Sequence, residues 1–191
     1  MGLEIEAKLK VESHEGVRAK LVDARAVCIG SVLESNHLFD RPDGSLRTAG
    51  CGLRVRSCVA ISGEAPAPTL TYKGPRLASE FKCRQEIEIA VDDAGCAEAI
   101  LESLGFVPIL QFEKRRESWR LDDCLIELDE VPYLGTFVEI EGPDAPSVRR
   151  MRETLGLQNN TSIRESYIAL LVSYCQGHGL PTSCITFEQA H

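Results

Sequence analysis

Charged and apolar residues alternate strictly from Leu3 to Val11. That two-residue period is the signature of a β-strand with one apolar and one ionic face. The pattern returns in Gly52–Val59, where Leu53 and Val55 alternate with Arg54 and Arg56. It returns again in Phe81–Val91, where Ile87, Ile89 and Val91 alternate with Arg84, Glu86 and Glu88. Leu110–Leu121 reads as a further strand, and Cys124–Val131 and Thr136–Glu141 as a hairpin around Pro132-Tyr133-Leu134-Gly135. Ile29–Asp40 is extended in character and runs into a turn at Pro42-Asp43-Gly44. Leu70–Lys73 is a short strand ended by Gly74-Pro75, after a loop at Ser62–Pro68.

Helical spacing appears between these strands. Ser13 caps a helix through about Cys28, with Val17, Leu21 and Ala24 on its apolar side. Asp92 or Asp93 caps another to about Leu104, which Gly105 stops. Ala145–Leu155 and Ser162–Tyr174 are the last two. The tail after Gln176 has no strong pattern and is expected to be loosely held. No internal repeat or domain linker interrupts the chain. The expected fold is mainly β (α+β): about eight nearly sequential antiparallel strands closing into a barrel, with helices packed outside.

The ionic faces change this picture. For one strand, the ordinary reading is a half-buried sheet with its charged side in water. Here Glu4, Glu6, Lys8 and Lys10 share a face, as do Arg54 and Arg56, Lys114 and Arg116, Glu127 and Asp129, and Glu139 and Glu141. The opposite faces are Leu, Ile, Val, Phe and Cys, which is what packing helices require. That leaves the charges to line a shared interior, and a barrel of about eight strands is wide enough to hold a small ligand. Lys10, Arg115 and Arg120 are assigned to the solvent.

Composition narrows the partners. The formal net charge of the 191-residue chain is -8, which argues against a general nucleic-acid surface. There is no apolar leader after Met-Gly and no apolar run of membrane-spanning length, so a cytoplasmic protein without membrane partners is expected. The eight cysteines are widely and irregularly spaced, with no C-x-x-C pair, and read as reduced thiols rather than disulfides or a zinc site. His37 reads as a structural histidine in preference to a pocket residue.

Buried like charges cannot persist unpaired. Carboxylates at Glu4, Glu6, Asp129, Glu139 and Glu141 suit a hard divalent cation, Mg²⁺ or Mn²⁺. Lys8, Arg54, Arg56, Lys73, Arg84, Lys114 and Arg116 suit phosphate oxygens. Acids with a metal beside a ring of bases is the chemistry of a metal-bound polyphosphate.

Taken in order, the segments Glu4-Ile5-Glu6-Ala7-Lys8, Leu53-Arg54-Val55-Arg56, Thr71-Tyr72-Lys73-Gly74-Pro75 and Arg84-Gln85-Glu86-Ile87-Glu88 resemble the CYTH superfamily, the triphosphate tunnel metalloenzymes, whose opening signature is E-x-E-x-K. Lys114-Arg115-Arg116, Ile126-Glu127-Leu128-Asp129, Phe137-Val138-Glu139-Ile140-Glu141 and Ser166-Tyr167 extend the resemblance over nearly the whole chain. Asn36-His37-Leu38-Phe39-Asp40 and Leu134-Gly135-Thr136-Phe137 look closest to the branch of class IV adenylate cyclases (CyaB type) and thiamine triphosphatases.

The resemblance implies a CYTH domain over residues 1–175 followed by a tail over 176–191. It implies an eight-stranded antiparallel tunnel with the charges inward. Glu4, Glu6, Asp129, Glu139 and Glu141 would hold one or two divalent ions, and the seven bases named above the triphosphate. Lys73 and Lys8 would be the catalytic lysines; Glu86, Glu88 and Glu127 would also point inward. The leading expectation is a class IV cyclase-like conversion of ATP to cAMP and pyrophosphate. The alternatives are hydrolysis of thiamine triphosphate, tripolyphosphate or a nucleoside triphosphate, and a binding module without turnover. Both a monomer and a dimer fit the sequence.

Overall fold

The computed structural model describes residues 2–190, with side chains described for 5–190. In chain order the elements are β1 (Gly2–Lys10), α1 (Glu15–Asp23), β2 (Val27–Asp40), α2 (Ser45–Thr48), β3 (Gly52–Ser62), β4 (Thr69–Arg76) and β5 (Lys82–Ala90). They continue with α3 (Ala94–Ser103), β6 (Val107–Leu121), β7 (Cys124–Val131), β8 (Gly135–Gly142), α4 (Ala145–Thr154), α5 (Tyr167–His178) and β9 (Cys184–Ile185). The sheet runs β2-β3-β4-β5-β1-β8-β7-β6-β9, and β2 also pairs with β6. That pairing extends from Val27 opposite Arg120 to Asp40 opposite Val107, and it closes eight antiparallel strands into a barrel. Closure removes the open edges that a flat sheet would leave.

A closed barrel makes the strand period decisive, because alternate residues must face either the lumen or the outer layer. On β1, Ala7 and Leu9 pack outward under α1 and α4 with Leu21, Ile126, Ile140 and Met151. A second outer layer lies under α3, where Phe39, Leu53 and Val55 meet Ala97 and Leu101. The third cluster joins Tyr167 and Leu171 of α5 to Leu38, Leu110, Phe112 and Phe137, whose strand parity is that of the lumen. Thus α5 stops one end of the barrel, while α1, α3 and α4 lie on its outside.

Several element boundaries differ from the sequence expectation for local reasons. The first helix stops at Asp23 because Arg25 takes a left-handed backbone (φ 60) and the Ala26 N–H donates back to the Leu21 carbonyl. Its cap position is His14, while Ser13 Oγ accepts from the Glu15 N–H at 3.1 Å. Gly74-Pro75 does not end β4. A register shift between Lys73 and Arg76 makes a bulge there, where a missing N–H does no harm, and Arg76 comes to lie opposite Arg84. The last helix begins at Tyr167, not Ser162, because Ser166 caps it by accepting from the Ala169 N–H. Residues 162–163 instead run beside β1, with the Ile163 N–H donating to the Lys8 carbonyl.

The tail is tied down. β6 has 15 residues, and β7 pairs only with Arg115–Leu121, so the first half of β6 would keep a bare edge on that side. β9 pairs there in parallel, Cys184 beside Gln111 and Ile185 beside Phe112, and Ile185 is fully buried. The Phe187 N–H donates to Glu113 at 3.0 Å, and Tyr133 donates its hydroxyl proton to the Gln189 carbonyl. All eight cysteines are free thiols. Among the described residues, no helix is long and apolar enough to cross a membrane.

Candidate active site

The lumen opens into a cavity of about 990 Å³. Among the described residues, ten Lys and Arg side chains and seven Asp and Glu side chains line it. Cations exceed carboxylates by three at this surface, in a chain of net charge -8. Two more acids, Glu34 and Asp129, lie in the wall behind and are 2% and 0% exposed.

Strand register places the groups. On β1 and β8, Glu6 sits opposite Glu141 and Lys8 opposite Glu139; on β7, Glu127 sits opposite Glu139. These carboxylates form one acidic wall. The cationic wall runs over β3, β4 and β5, with Arg54 opposite Thr71 and Lys73 opposite Glu86. β2 and β6 join the two, with Glu34 opposite Lys114.

The individual contacts show how so many charges share one interior. Lys8 is 1% exposed; its ammonium donates to the Glu165 carbonyl at 2.9 Å, lies 3.4 Å from Glu139, and sits 4.0 Å over the Tyr167 ring. Burial pulls its pKa below that of an ordinary lysine, against the attraction of Glu139 and Glu6. Arg116 is the hub of the acidic wall. It donates to Asp129 at 2.7 and 2.6 Å and to Glu139 at 2.6 Å, and it pairs with Glu127.

Three carboxylates around one guanidinium cannot all be equally favoured. Burial raises the Glu139 carboxyl, but Lys8, Arg116, Lys114 and Lys82 outweigh it and hold the group well below the usual range. At Glu127, burial wins against Arg116, and repulsion from Asp129 adds to it, so the carboxyl is pushed up to about 8. Glu34 faces the cations: Arg56 at 3.1 Å, Lys114 at 3.2 Å and Arg116 at 3.8 Å. Those charges overcome its burial and hold its pKa well below normal.

Arg54 is loosely held, with Glu88 at 3.7 Å as its nearest ion-pair partner among the described residues. Its two terminal nitrogens reach Asn36 and Thr71 only at 3.4 Å, and its buried Nε has no partner. Burial and the neighbouring Arg56 lower its pKa. A guanidinium whose terminal nitrogens make only long contacts at a cavity surface is a ready anion contact.

All seven predicted phosphate-binding bases line this one cavity: Lys8, Arg54, Arg56, Lys73, Arg84, Lys114 and Arg116. So do Glu6, Glu139 and Glu141 of the predicted metal ligands. Asp129 does not reach the lumen surface. It is spent in the wall, accepting from Arg116, from Lys114 at 3.3 Å and from the Tyr167 hydroxyl at 2.9 Å. The Glu4 side chain lies outside the described residues. Glu86, Glu88 and Glu127 point inward as their parity requires. His37 faces out, held by Glu98 of α3 at 2.8 Å and by Ser35 at 3.2 Å.

Sequence reasoning passed over Lys82 and Glu34. Lys82 is 7% exposed and pairs with Glu6 at 2.5 Å. Its signal was available, since it shares the parity of Arg84 and Glu86.

Among the described residues, no three His, Cys, Asp or Glu side chains converge closely enough to hold a metal ion. The donor chemistry still suits a hard divalent cation, because Glu6, Glu139 and Glu141 are adjacent oxygen donors on neighbouring strands. In this arrangement Glu6 is neutralised by Lys82, and Glu139 by Lys8 and Arg116.

The pattern of the CYTH domain matches residues 2–167. The chain belongs to the CYTH family. Within it, the chain is 26% identical over 177 residues to a Methanocaldococcus jannaschii protein that carries a provisional adenylate cyclase name; the match covers 88% of this chain and 98% of that one. A solved structure of a Pyrococcus horikoshii protein superposes with a TM-score of 0.76 at 26% identity, over 90% of this chain and 99% of the other. A Hippeastrum protein, described as a provisional adenylyl cyclase with a dominant triphosphatase activity, shares the fold. Its TM-score is 0.67 at 21% identity, over 91% and 96% of the two chains. The chain thus has the closed-barrel fold of the CYTH family.

Proposed function

We propose that the protein is a divalent-metal-dependent triphosphatase that hydrolyses a small triphosphate inside the barrel. The observation that carries this reading is the closed lumen itself, with a cationic wall that includes the under-satisfied Arg54 and a facing wall of oxygen donors. Cyclisation of ATP needs the same cage and, in addition, a group that takes the ribose 3′ proton and holds that hydroxyl against the α-phosphate. Hydrolysis needs only the cage and a water, so it is the reading these walls support with least added.

Arg54, Arg56, Arg84, Lys114 and Lys73 would hold the phosphate oxygens. Lys73, kept beside Glu86 at 2.9 Å, serves as a fixed positive charge. Glu6, Glu139 and Glu141, with Glu4, would hold Mg²⁺ or Mn²⁺, which supplies charge neutralisation to the bridging phosphates. Asp129 orients Arg116 and Tyr167 rather than meeting the ion. Lys8, whose ammonium lies 3.4 Å from Glu139, would supply a further positive charge beside the phosphates.

Incubation with ATP, thiamine triphosphate and tripolyphosphate, each with Mg²⁺ or Mn²⁺, tests this by chromatography of the products. Orthophosphate release is expected. Formation of cAMP and pyrophosphate would replace hydrolysis by cyclisation, and tight binding of all three without turnover would reduce the protein to a binding module.

A further inference from the structure

One cation of the acidic wall is held differently from its neighbours. Arg116 is shared by Asp129, Glu127 and Glu139, and Lys114 by Glu34 and Asp129. Lys8 rests on the Glu165 carbonyl, on Glu139 and on the Tyr167 ring. Lys82 has one carboxylate partner among the described residues, Glu6 at 2.5 Å, and both residues are buried. The register of β1 with β5 sets the two directly opposite each other, and both line the cavity.

The backbone at Lys82 is fixed on its outer side. Phe81, the residue before it, is 2% exposed and packs in the outer core with Val148 and Met151 of α4. The hairpin that leads into β5 is tied down as well: Glu80 pairs with Arg149 of α4 at 2.6 Å, and the Ser79 carbonyl accepts from Arg164 at 2.5 Å. From this anchored start Lys82 sends a flexible four-carbon stem into the lumen, ending in a compact charge that a single ion pair holds. Arg84, two residues along the same face of β5, lines the same cavity among the bases that suit phosphate.

Glu6 is also one of the oxygen donors that suit a divalent cation, beside Glu139 and Glu141 on the neighbouring strand. A metal ion at Glu6 and the Lys82 ammonium compete for the same carboxylate. An anion in the lumen makes the complementary demand. It attracts the ammonium, but taking it strips a buried carboxylate of its partner. Each ligand alone therefore meets a cost that the other removes. We propose that Lys82 is an exchangeable counter-ion. It neutralises Glu6 in the empty tunnel, yields Glu6 to a divalent cation, and turns its ammonium to the phosphate oxygens. Metal and triphosphate then bind with positive coupling, which linkage makes reciprocal. The inference rests on the triphosphate reading above and adds the residue that ties its two ligands together.

The test compares wild type with Lys82→Gln, Glu6→Gln and the double variant, the folding of each checked by circular dichroism. Mn²⁺ binding without anion is followed by electron paramagnetic resonance. Tripolyphosphate binding is followed by calorimetry in excess chelator, so neither titration involves turnover. Lys82→Gln is expected to bind Mn²⁺ about tenfold tighter than wild type and tripolyphosphate several-fold weaker. Glu6→Gln should do the reverse. The double variant separates exchange from a static charge. With Glu6 already neutral the ammonium is free, so deleting Lys82 should cost more tripolyphosphate affinity in the Glu6→Gln background than in wild type.

Mn²⁺ binding that is unchanged or weaker in Lys82→Gln overturns the exchange. So do additive effects on tripolyphosphate, which mark a charge that never leaves its place. Should Lys82→Gln not fold, unchanged or weaker metal-free binding of tripolyphosphate by Glu6→Gln overturns it alone. Each of those results leaves the triphosphate reading standing. Wild type that binds neither Mn²⁺ nor tripolyphosphate removes that reading and the exchange with it.

Discussion

Replacing Glu34 by Gln removes one negative charge from the wall and almost no volume. In the wild-type protein this carboxylate is 2% exposed and stands 3.1 Å from Arg56, 3.2 Å from Lys114 and 3.8 Å from Arg116. The variant leaves those cations facing one another with one acid fewer. Breaking a buried ion pair from one side costs about 3–5 kcal/mol, because the orphaned charge stays desolvated. For a chain of this length each kcal/mol moves the midpoint by roughly 2–4 °C, so the melting temperature should fall by roughly 6–20 °C.

The pH dependence carries a sign. Glu34 has a folded-state pKa well below its ordinary value of 4.5. Its contribution is therefore present above pH 4.5 and is lost as pH falls through the folded-state pKa. The gap between wild type and Glu34→Gln should be constant from pH 7 to about pH 5 and should close in stronger acid. Added tripolyphosphate should stabilise the variant more than the wild type, since the anion replaces the missing charge. Urea melts across pH 3–8, with and without tripolyphosphate, supply all three comparisons. A gap below about 1 kcal/mol at pH 7, the size of an exposed ion pair, would show that water reaches this cluster and that the wall is not the low-dielectric interior argued for here.

Three other outcomes follow from the same geometry. Lys82→Met strips Glu6 of a partner at 2.5 Å, so the variant should melt lower than wild type and gain more from Mn²⁺ in a thermal-shift assay; equal gains would separate Glu6 from the metal. Ile185→Ala empties a fully buried position between β9 and β6 and should cost about 2–4 kcal/mol in urea unfolding, whereas a loosely held tail would give a change near zero. Glu139→Gln should abolish orthophosphate release while leaving the circular dichroism spectrum unchanged, and turnover at the wild-type rate would remove Glu139 from the site.

Much of this arrangement was legible because a closed barrel leaves a strand residue only two places to point. Once Lys8 is inward, Glu6 must be, and the same parity carries Arg54 with Arg56 and Glu139 with Glu141. Parity fails where a strand is polar on both sides. In β2, Ser35 and His37 on the outer face look as hydrophilic as Glu34 and Asn36 on the inner one, so the buried Glu34 gave no local sign of itself. Short elements failed for a different reason. Two residues of β9 have no period to read, and the Gly74-Pro75 bulge looks like a strand end until the register with β5 shows the strand resuming at Arg76.

The apolar end of the lumen was hidden most thoroughly, although every residue of it was in view. Leu110, Phe112, Lys114 and Arg116 share one face of β6, and local pattern alone makes Leu110 and Phe112 ordinary core residues at the start of a strand. Their meaning depends on α5, about 60 residues later in the chain, coming to rest across that end of the barrel. If α5 lay on the outside like α1 and α4, the inward face would be apolar at a mouth open to water, at a cost that grows with every exposed aliphatic side chain. Packing Tyr167 and Leu171 against that end removes the cost. That closure is a property of the packing between distant elements, which the period of no single strand carries.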